Sequence, residues 1–328
     1  IKRKHTIKRE VKQMFFYIIF IIIGFFLLIK GADFLVDGAT GIAKKFNIPS
    51  IIIGLTIVSI GTSMPELFVS ITSALEGYSD MALGNIVGSN LCNLLLILGL
   101  SAILKPVTFQ KETRIYEIPM CLLFTIILAI FCNTGNRISR IEAVALIILF
   151  TLFLGYTIFM GKKKSSEELE NNQKDETKNN STIKNLSLII LGIIGLKLGG
   201  SLAVDNAVNV ANYFNVSEKI ISLTILAVGT SLPELVTSVT AAIKGNSDIA
   251  IGNIIGSNIF NMLLIIGVSA IINPITYNTS YNLDFSILLI STIVLALFPF
   301  IPPKDKMSRA NGVIYFLMYL MYLGFLIK

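Results

Sequence analysis

Histidine is almost missing from this chain. His5, in a basic N-terminal stretch, is the single one among 328 residues, which leaves almost no room for catalysis or metal binding that depends on imidazole. Cysteine is nearly as scarce. Cys92, Cys121 and Cys132 lie within or at the edge of apolar runs, their number is odd and no CxxC occurs, so neither a disulfide framework nor a thiolate metal site is expected. Charge is thin as well: 14% of residues are charged against 54% hydrophobic, and the mean hydropathy is +0.77. Several apolar runs pass the roughly 18–20 residues that span a bilayer. The chain reads as an integral membrane protein with many spans. Its net charge of +7 is then a topological signal, with no nucleic-acid partner implied. The first apolar run continues as helix and shows no small-residue cleavage site, so no cleavable signal is expected.

Hydropathy predicts ten spans, at 14–37, 48–76, 80–104, 114–133, 139–160, 185–212, 218–244, 248–272, 283–301 and 310–327. Residues 1–13 form a basic tail suited to solvent or anionic headgroups. The connection 161–184, GKKKSSEELENNQKDETKNNSTIK, is polar and without hydrophobic periodicity, which predicts a loose linker. It separates an N-terminal half, 1–160, from a C-terminal half, 185–328, with five spans each.

The halves repeat one another. Gly61–Asn93 reads GTSMPELFVSITSALEGYSDMALGNIVGSNLCN, and Gly229–Asn261 reads GTSLPELVTSVTAAIKGNSDIAIGNIIGSNIFN, at a constant offset of 168 residues. Asp37 with Asp205, Phe46-Asn47 with Phe214-Asn215, and Pro106 with Pro274 keep the same offset. An odd number of spans per half puts the second copy into the membrane upside down, the inverted arrangement of many secondary transporters, with the site at the repeat interface. The fold class is therefore all-α, ten transmembrane helices in two inverted five-helix repeats.

Each repeat carries one acid deep in an apolar span, Glu66 after Pro65 and Glu234 after Pro233. A carboxylate there costs a few kcal/mol and marks a functional site by default. Proline cannot donate to the carbonyl four residues back, at Gly61 or Gly229, and the kink loosens the next carbonyl, at Thr62 or Thr230. Freed carbonyls in a membrane are tolerated where they line a protein cavity. The hydroxyls of Thr62, Ser63, Thr230 and Ser231 add neutral oxygens. Asn85, Ser89 and Asn93 recur every four residues and share one helix face, as do Asn253, Ser257 and Asn261. Asn90 and Asn258 fall off that face and are expected to bond between helices, while Gly84, Gly88, Gly252 and Gly256 read as a packing motif. All of these donors are oxygen, which selects Ca2+, Na+ or Mg2+ over Zn2+ or copper. Two carboxylates balance one Ca2+ or two Na+, and such competition makes an exchanger.

The GTSxPE and GNxxGSNxxN motifs, each present twice, resemble the two alpha repeats of the cation/calcium exchanger superfamily, and most closely its sodium/calcium branch. The resemblance covers about 33–109 and 201–277. It implies electrogenic antiport of about three Na+ for one Ca2+, in the alternating-access manner of secondary transporters, with sliding of the first and sixth spans. It implies Ca2+ ligation by Glu66, Glu234 and the carbonyls of Thr62 and Thr230. Sodium would involve Ser63, Ser231, Ser89, Ser257, Asn93, Asn261 and the carbonyls of Ser59 and Ala227. Ca2+ and Na+ are then cargo, with no resident cofactor, no enzymatic activity and no obligatory protein partner besides the lipid bilayer. Asn261 departs from the potassium-dependent branch, which has Asp there, so K+ coupling is not expected. The linker is too short for the regulatory calcium-binding domains of the animal proteins.

Of the remaining polar residues, Asp37 and Asp205 read as helix-end polarity, Lys30 and Lys197 as snorkelling side chains, Asp80 and Asp248 as N-caps, and Glu117, Glu142 and Asp284 as interfacial. The face reached after spans 1, 3, 5, 7 and 9 carries fifteen Lys and Arg against ten opposite. The positive-inside rule then places the linker in the cytoplasm and both termini outside, in the cell membrane. A Ca2+/H+ antiporter, a K+-dependent exchanger, a passive channel and an intramembrane protease are the competing readings. The spans lack the base or paired Asp motif that a protease needs.

Overall fold

The computed structural model describes residues 2–171, 181–214, 227–302 and 304–327. They are nearly all helical, as apolar backbone in a bilayer must be. In chain order the elements are α1 (Lys2–Lys45), α2 (Ser50–Thr62) and α3 (Met64–Leu75), α4 (79–104), α5 (Thr113–Asn133) and α6 (Arg140–Asn171). The second half holds α7 (Thr182–Tyr213), α8 (Leu232–Ile243), α9 (Ser247–Ile272), α10 (Thr279–Phe300) and α11 (Arg309–Ile327). Helices α2 and α3 are one span, bent by 49° at Ser63. A single turn, Ala227–Gly229, precedes α8 in the same relation.

Two short strand pairs display the inversion. Val107–Thr108, after α4, pairs with Lys306–Met307, after α10. The counterpart of the first strand, Ile275–Thr276, pairs instead with Arg137–Ile138, after α5. Equivalent loops of the two repeats thus lie at opposite faces, and each face is clipped by one strand from each repeat. The α3–α4 and α8–α9 hairpins are also copies. Gly77 and Gly245 adopt φ +88° and +84°, and the following N–H groups, of Tyr78 and Asn246, donate back to Ser73 and Ala241 at 2.8 Å. This is a glycine-terminated helix end that a residue with a Cβ enters only at a cost.

Packing divides the molecule into two apolar clusters. The larger lies among α2, α4, α5, α6, α9, α10 and α11. The smaller joins α1 and α7 to part of α2 and to the α8–α9 hairpin. Helices α1 and α7 cross backbone to backbone: a Cβ on Gly24, Gly31, Gly192 or Gly199 would meet main-chain atoms of the partner helix at 2.7 Å. The apolar part of α1, Gln13–Lys45, has 33 residues. At about 1.5 Å rise it is about 50 Å long, against about 30 Å of hydrocarbon, so it must tilt or emerge. We expect Gly31→Val to lower stability by about 1–3 kcal/mol, because the neighbours in its way are backbone and cannot yield. Loss of the monodisperse fraction after graded heating in detergent measures it.

Several sequence expectations need correction. Helix α1 runs through the basic stretch to Lys2, and α6 runs past 160 to Asn171, so 161–171 is helical, while 172–180 lies outside the described residues. The first part of the seventh span, 218–226, and Asn215, Lys219 and Lys328 lie outside the described residues. Asp80 and Asp248 are not N-caps. Their helices start earlier, at Ser79 and Ser247, which leaves both residues in the first turn, where the charge of Asp248 complements the dipole. Gln110 reaches Asp248 there. Glu117 is 1% exposed, buried against protein instead of facing headgroups. Glu142 closes a capping box, accepting from the backbone and hydroxyl of Ser139 at 2.7 and 2.8 Å. Asp284 accepts from Tyr322 Oη at 2.8 Å. The Lys30 ammonium lies 3.7 Å from Asp33, and Lys197 sits over the Phe68 ring, 5.0 Å from its centroid.

Candidate functional site

The two prolines place the two glutamates. In each copy the helix stops at a serine with nearly the same bridge-region backbone, Ser63 at φ −84°, ψ 10° and Ser231 at φ −87°, ψ 7°. It restarts with proline in the first turn and the glutamate directly behind it. Each carboxylate is thereby held at a helix N-terminus, where unsatisfied N–H groups and the dipole favour negative charge. Glu66 is 1% and Glu234 0% exposed.

The repeats then exchange donors. Ser63 Oγ donates to Glu234 Oε1 at 2.8 Å, and its counterpart Ser231 Oγ donates to Glu66 Oε1 at 3.2 Å. Ser89 Oγ also reaches Glu66 Oε1, at 3.4 Å. The serine before each proline therefore serves the acid of the opposite repeat, which brings both carboxylates into one shared centre.

An asparagine quartet binds α4 to α9 beside it. Asn90 Nδ2 donates to the Asn258 carbonyl at 3.2 Å and Asn258 Nδ2 to the Asn90 carbonyl at 3.3 Å. A carbonyl accepts only, so these contacts fix which end of each amide is nitrogen. The amide oxygens of Asn258 and Asn90 then face Asn93 and Asn261, which must offer their own nitrogens, at 3.0 Å each. Asn93 Oδ1 and Asn261 Oδ1 are left on the other side. Backbone shape assists: Cys92–Ile97 and Asn261–Ile265 are π-helical turns, a wide-turn insertion common at functional sites.

Among the described residues, Glu66 Oε2, Glu234 Oε2, Asn93 Oδ1, Asn261 Oδ1 and the Thr230 hydroxyl are buried with no hydrogen-bond partner. Four of these are acceptors only. Buried acceptors without donors are costly, and a hard cation is a partner that oxygens of this kind accept. No group of three or more His, Cys, Asp or Glu occurs among the described residues, so any such cation would be held by two acids and neutral oxygens.

The other expected residues fall around this centre with different duties. Thr62 Oγ1 donates to Asn253 Oδ1 at 3.0 Å and approaches the Ser59 carbonyl at 3.3 Å. Ser257 Oγ reaches the same carbonyl at 3.5 Å, so in this state Ser59 is engaged by hydroxyls. A cation there requires those hydroxyls to rotate away. Ala227 opens the turn Ala227–Gly229. Asn85 and Asn253 donate to Ser70 at 3.3 Å and Ser238 at 2.9 Å, holding α4 to α3 and α9 to α8. The glycine stripe behaves as a packing motif on α9: a Cβ on Gly252 would meet the Ile51 carbonyl at 2.7 Å, and one on Gly256 the Leu55 backbone at 2.8 Å. On α4 the three atoms nearest an added Cβ of Gly84 all belong to the Tyr281 side chain, the first at 2.8 Å, and a Cβ on Gly88 would meet nothing within 4 Å among the described residues, so the packing expectation fails there. Sequence reading missed Thr237, buried on α8 one turn past Glu234 with an unpartnered hydroxyl. It has no counterpart, since Val69 stands there in the first repeat, and so no repeat signal marks it.

Two inverted five-helix repeats around a shared pair of buried acids define a polytopic membrane transporter of the cation-exchanger type. Comparison with known proteins agrees. The profile of the family described as sodium/calcium exchanger protein matches residues 16–159 and 184–328, and the chain belongs to that family. It is 38% identical over 283 residues to the inner membrane protein YrbG of Escherichia coli (strain K12), covering 84% of this chain and 86% of the relative. It is 37% identical over 310 residues to the putative antiporter CaxA of Alkalimonas amylolytica, covering 94% and 96%. The fold matches a solved structure of the sodium-calcium exchanger NCX_Mj soaked with 10 mM Na+ and zero Ca2+, with TM-score 0.83, 32% identity and coverage of 95% and 99%.

Proposed function

We propose that this chain is a secondary active antiporter that exchanges Na+ for Ca2+, about three to one, by alternating access. The observation that carries the reading is the pair of buried carboxylates, each tied to the other repeat by a serine, each with one oxygen unpartnered. Glu66, Glu234 and the Thr62 and Thr230 carbonyls hold Ca2+. Ser63, Ser231, Ser89, Ser257, Asn93 and Asn261, with the Ser59 and Ala227 carbonyls, complete sites for Na+. Both serines are already within bonding distance of a carboxylate, so turning their hydroxyls converts donors into ligands without moving a helix. Two negative charges buried in a medium of low dielectric must be neutralised before the site can change its exposure. One Ca2+ does this, and so do two Na+. A third Na+ leaves net positive charge and makes the cycle electrogenic. The lysine-rich face, with the 161–184 connection, is cytoplasmic and both termini are outside, in the cell membrane. No protein partner or cofactor enters the scheme.

The test is 45Ca2+ uptake by purified protein in vesicles, with Na+, H+ and K+ gradients imposed separately. Uptake is expected with an outward Na+ gradient, unchanged by K+. Uptake driven by a pH gradient and indifferent to Na+ would replace this reading with Ca2+/H+ exchange.

A further inference from the structure

The two repeats match at both glutamates, both prolines and the serines beside them, and differ in charge at one place on the periphery. Lys244, at the end of α8, reaches across to α1. Its ammonium lies 2.7 Å from Asp37 Oδ1 and 3.0 Å from Asp33 Oδ1, and 3.4 Å from the Asp33 carbonyl oxygen. Two residues on, Asn246 Nδ2 donates to Thr40 Oγ1 at 3.3 Å. Partial burial works against the charge of Lys244, but the hydrogen bonds to Asp37 and Asp33 prevail and raise its pKa above the usual lysine value. It therefore stays an ammonium throughout the physiological range.

The copy of this contact at the opposite membrane face cannot form. The residue equivalent to Lys244 is Glu76, and those equivalent to Asp33 and Asp37 are Ser201 and Asp205. Asn246 and Thr40 become Tyr78 and Val208. Glu76 and Asp205 carry the same charge, and no ion pair among the described residues joins the α3–α4 hairpin to α7. Internal symmetry would make the two faces equal in energy. This substitution pattern makes them unequal.

The contact lies at the rim of the smaller apolar cluster, where α1 and α7 pack against the α8–α9 hairpin, and adds a polar fastening to that apolar contact. Helices α1 and α7 meet one another through glycines. We propose that Lys244, clasped by Asp33 and Asp37, is a one-sided catch: it holds the α1–α7 pair against the α8–α9 hairpin at one face and biases the central site to open at the other. Lys244 is a positioning residue here, since it touches none of the oxygens of the site. The inference rests on the alternating-access reading for its consequence, though not for its geometry.

Pulsed electron spin resonance on the full chain in lipid vesicles tests it, with labels at Lys45→Cys on α1 and Thr108→Cys on the loop beside Lys244. The native cysteines are buried. The otherwise native pair is expected to give one dominant short distance. Lys244→Gln should raise the fraction of longer distances about fivefold, the worth of one half-exposed ion pair. The swapped pair Lys244→Asp with Asp37→Lys should return most of it. Glu76→Lys, which sets an ammonium opposite Asp205, should raise the same fraction by fastening the other face. A distance distribution in Lys244→Gln that matches the native one overturns the catch. So does failure of the charge swap to restore it. If the native protein shows these shifts but carries no Na+-dependent 45Ca2+ flux, the catch stands and the exchange reading falls.

Discussion

Glu66→Gln and Glu234→Gln each bring Na+-driven Ca2+ uptake down to background, a loss of about 100-fold or more. Removing one member of a buried, hydrogen-bonded charge constellation costs about 3–5 kcal/mol, and 1.4 kcal/mol is tenfold in an equilibrium constant. The amide keeps the shape of the carboxylate and can still accept from Ser231 or Ser63, which donate at 3.2 and 2.8 Å in the native protein. The variants should therefore insert and fold. Their stability without cations should be the same or higher, because an uncompensated buried charge has been removed. What they lose is stabilisation by added Ca2+, since a ligand stabilises only the state that binds it. Melting curves with and without Ca2+ separate this from misfolding. Full exchange in either variant, with native melting, would take the paired acids out of the mechanism.

The second large effect concerns a residue that need not touch an ion. On sequence grounds Asn261→Asp should change ion stoichiometry or selectivity more than Asn90→Asp does. The asparagine quartet adds an effect of Asn90→Asp on stability. Asn90 Nδ2 donates to the Asn258 carbonyl, and Asp offers no donor in its place. A carboxylate oxygen would face a carbonyl oxygen inside the bundle, where Asn90 is 0% exposed. A buried acceptor left without a donor costs about 1–3 kcal/mol, more when charged. We expect Asn90→Asp to lower both stability and flux, about tenfold or more for flux, with the Na+ to Ca2+ ratio unchanged. Asn261→Asp also gives up a donor, to Asn90 Oδ1, and should lose some stability, but it adds a third acid beside the unpartnered oxygens and should shift that ratio. Flux ratios measured from paired 22Na+ and 45Ca2+ uptake distinguish the two. A changed ratio in Asn90→Asp with a native one in Asn261→Asp would reverse the roles.

Much of this molecule is legible in its sequence because the chain states its plan twice. Glu66 and Glu234 at a fixed offset, each behind a proline in an apolar run, point to one shared centre, and five spans per half require the inversion. Asn85, Ser89 and Asn93 show their common face by four-residue spacing alone. The pairing within the centre is another matter. Ser63 lies three residues from Glu66 but serves Glu234, 171 positions away, and helical periodicity says nothing about which repeat a hydroxyl will turn to. The π-helical turns starting at Cys92 and Asn261 have no composition that announces them, because they arise from packing.

Helix starts failed for a related reason. Asp248 is a good cap residue, but Asn246 and Ser247 precede it, and the glycine-ended turn at Gly245 fixes where the new helix begins. Glu117 looked interfacial because it stands in the first turn of a span. Depth in the membrane and burial in protein are separate coordinates, and sequence reports mainly the first. The tie between Lys244 and Asp37 was hidden for the opposite reason: a search for what repeats passes over a position such as Lys244, where the other half has Glu76.

The central claim is that the two acids share one cation. Titration of the purified protein with Ca2+ in a calorimeter, at several Na+ concentrations, tests this most directly. We predict one Ca2+ per chain, weakened progressively by Na+, and no detectable binding in Glu66→Gln or in Glu234→Gln. Undiminished Ca2+ binding in the variant that carries both substitutions would contradict it.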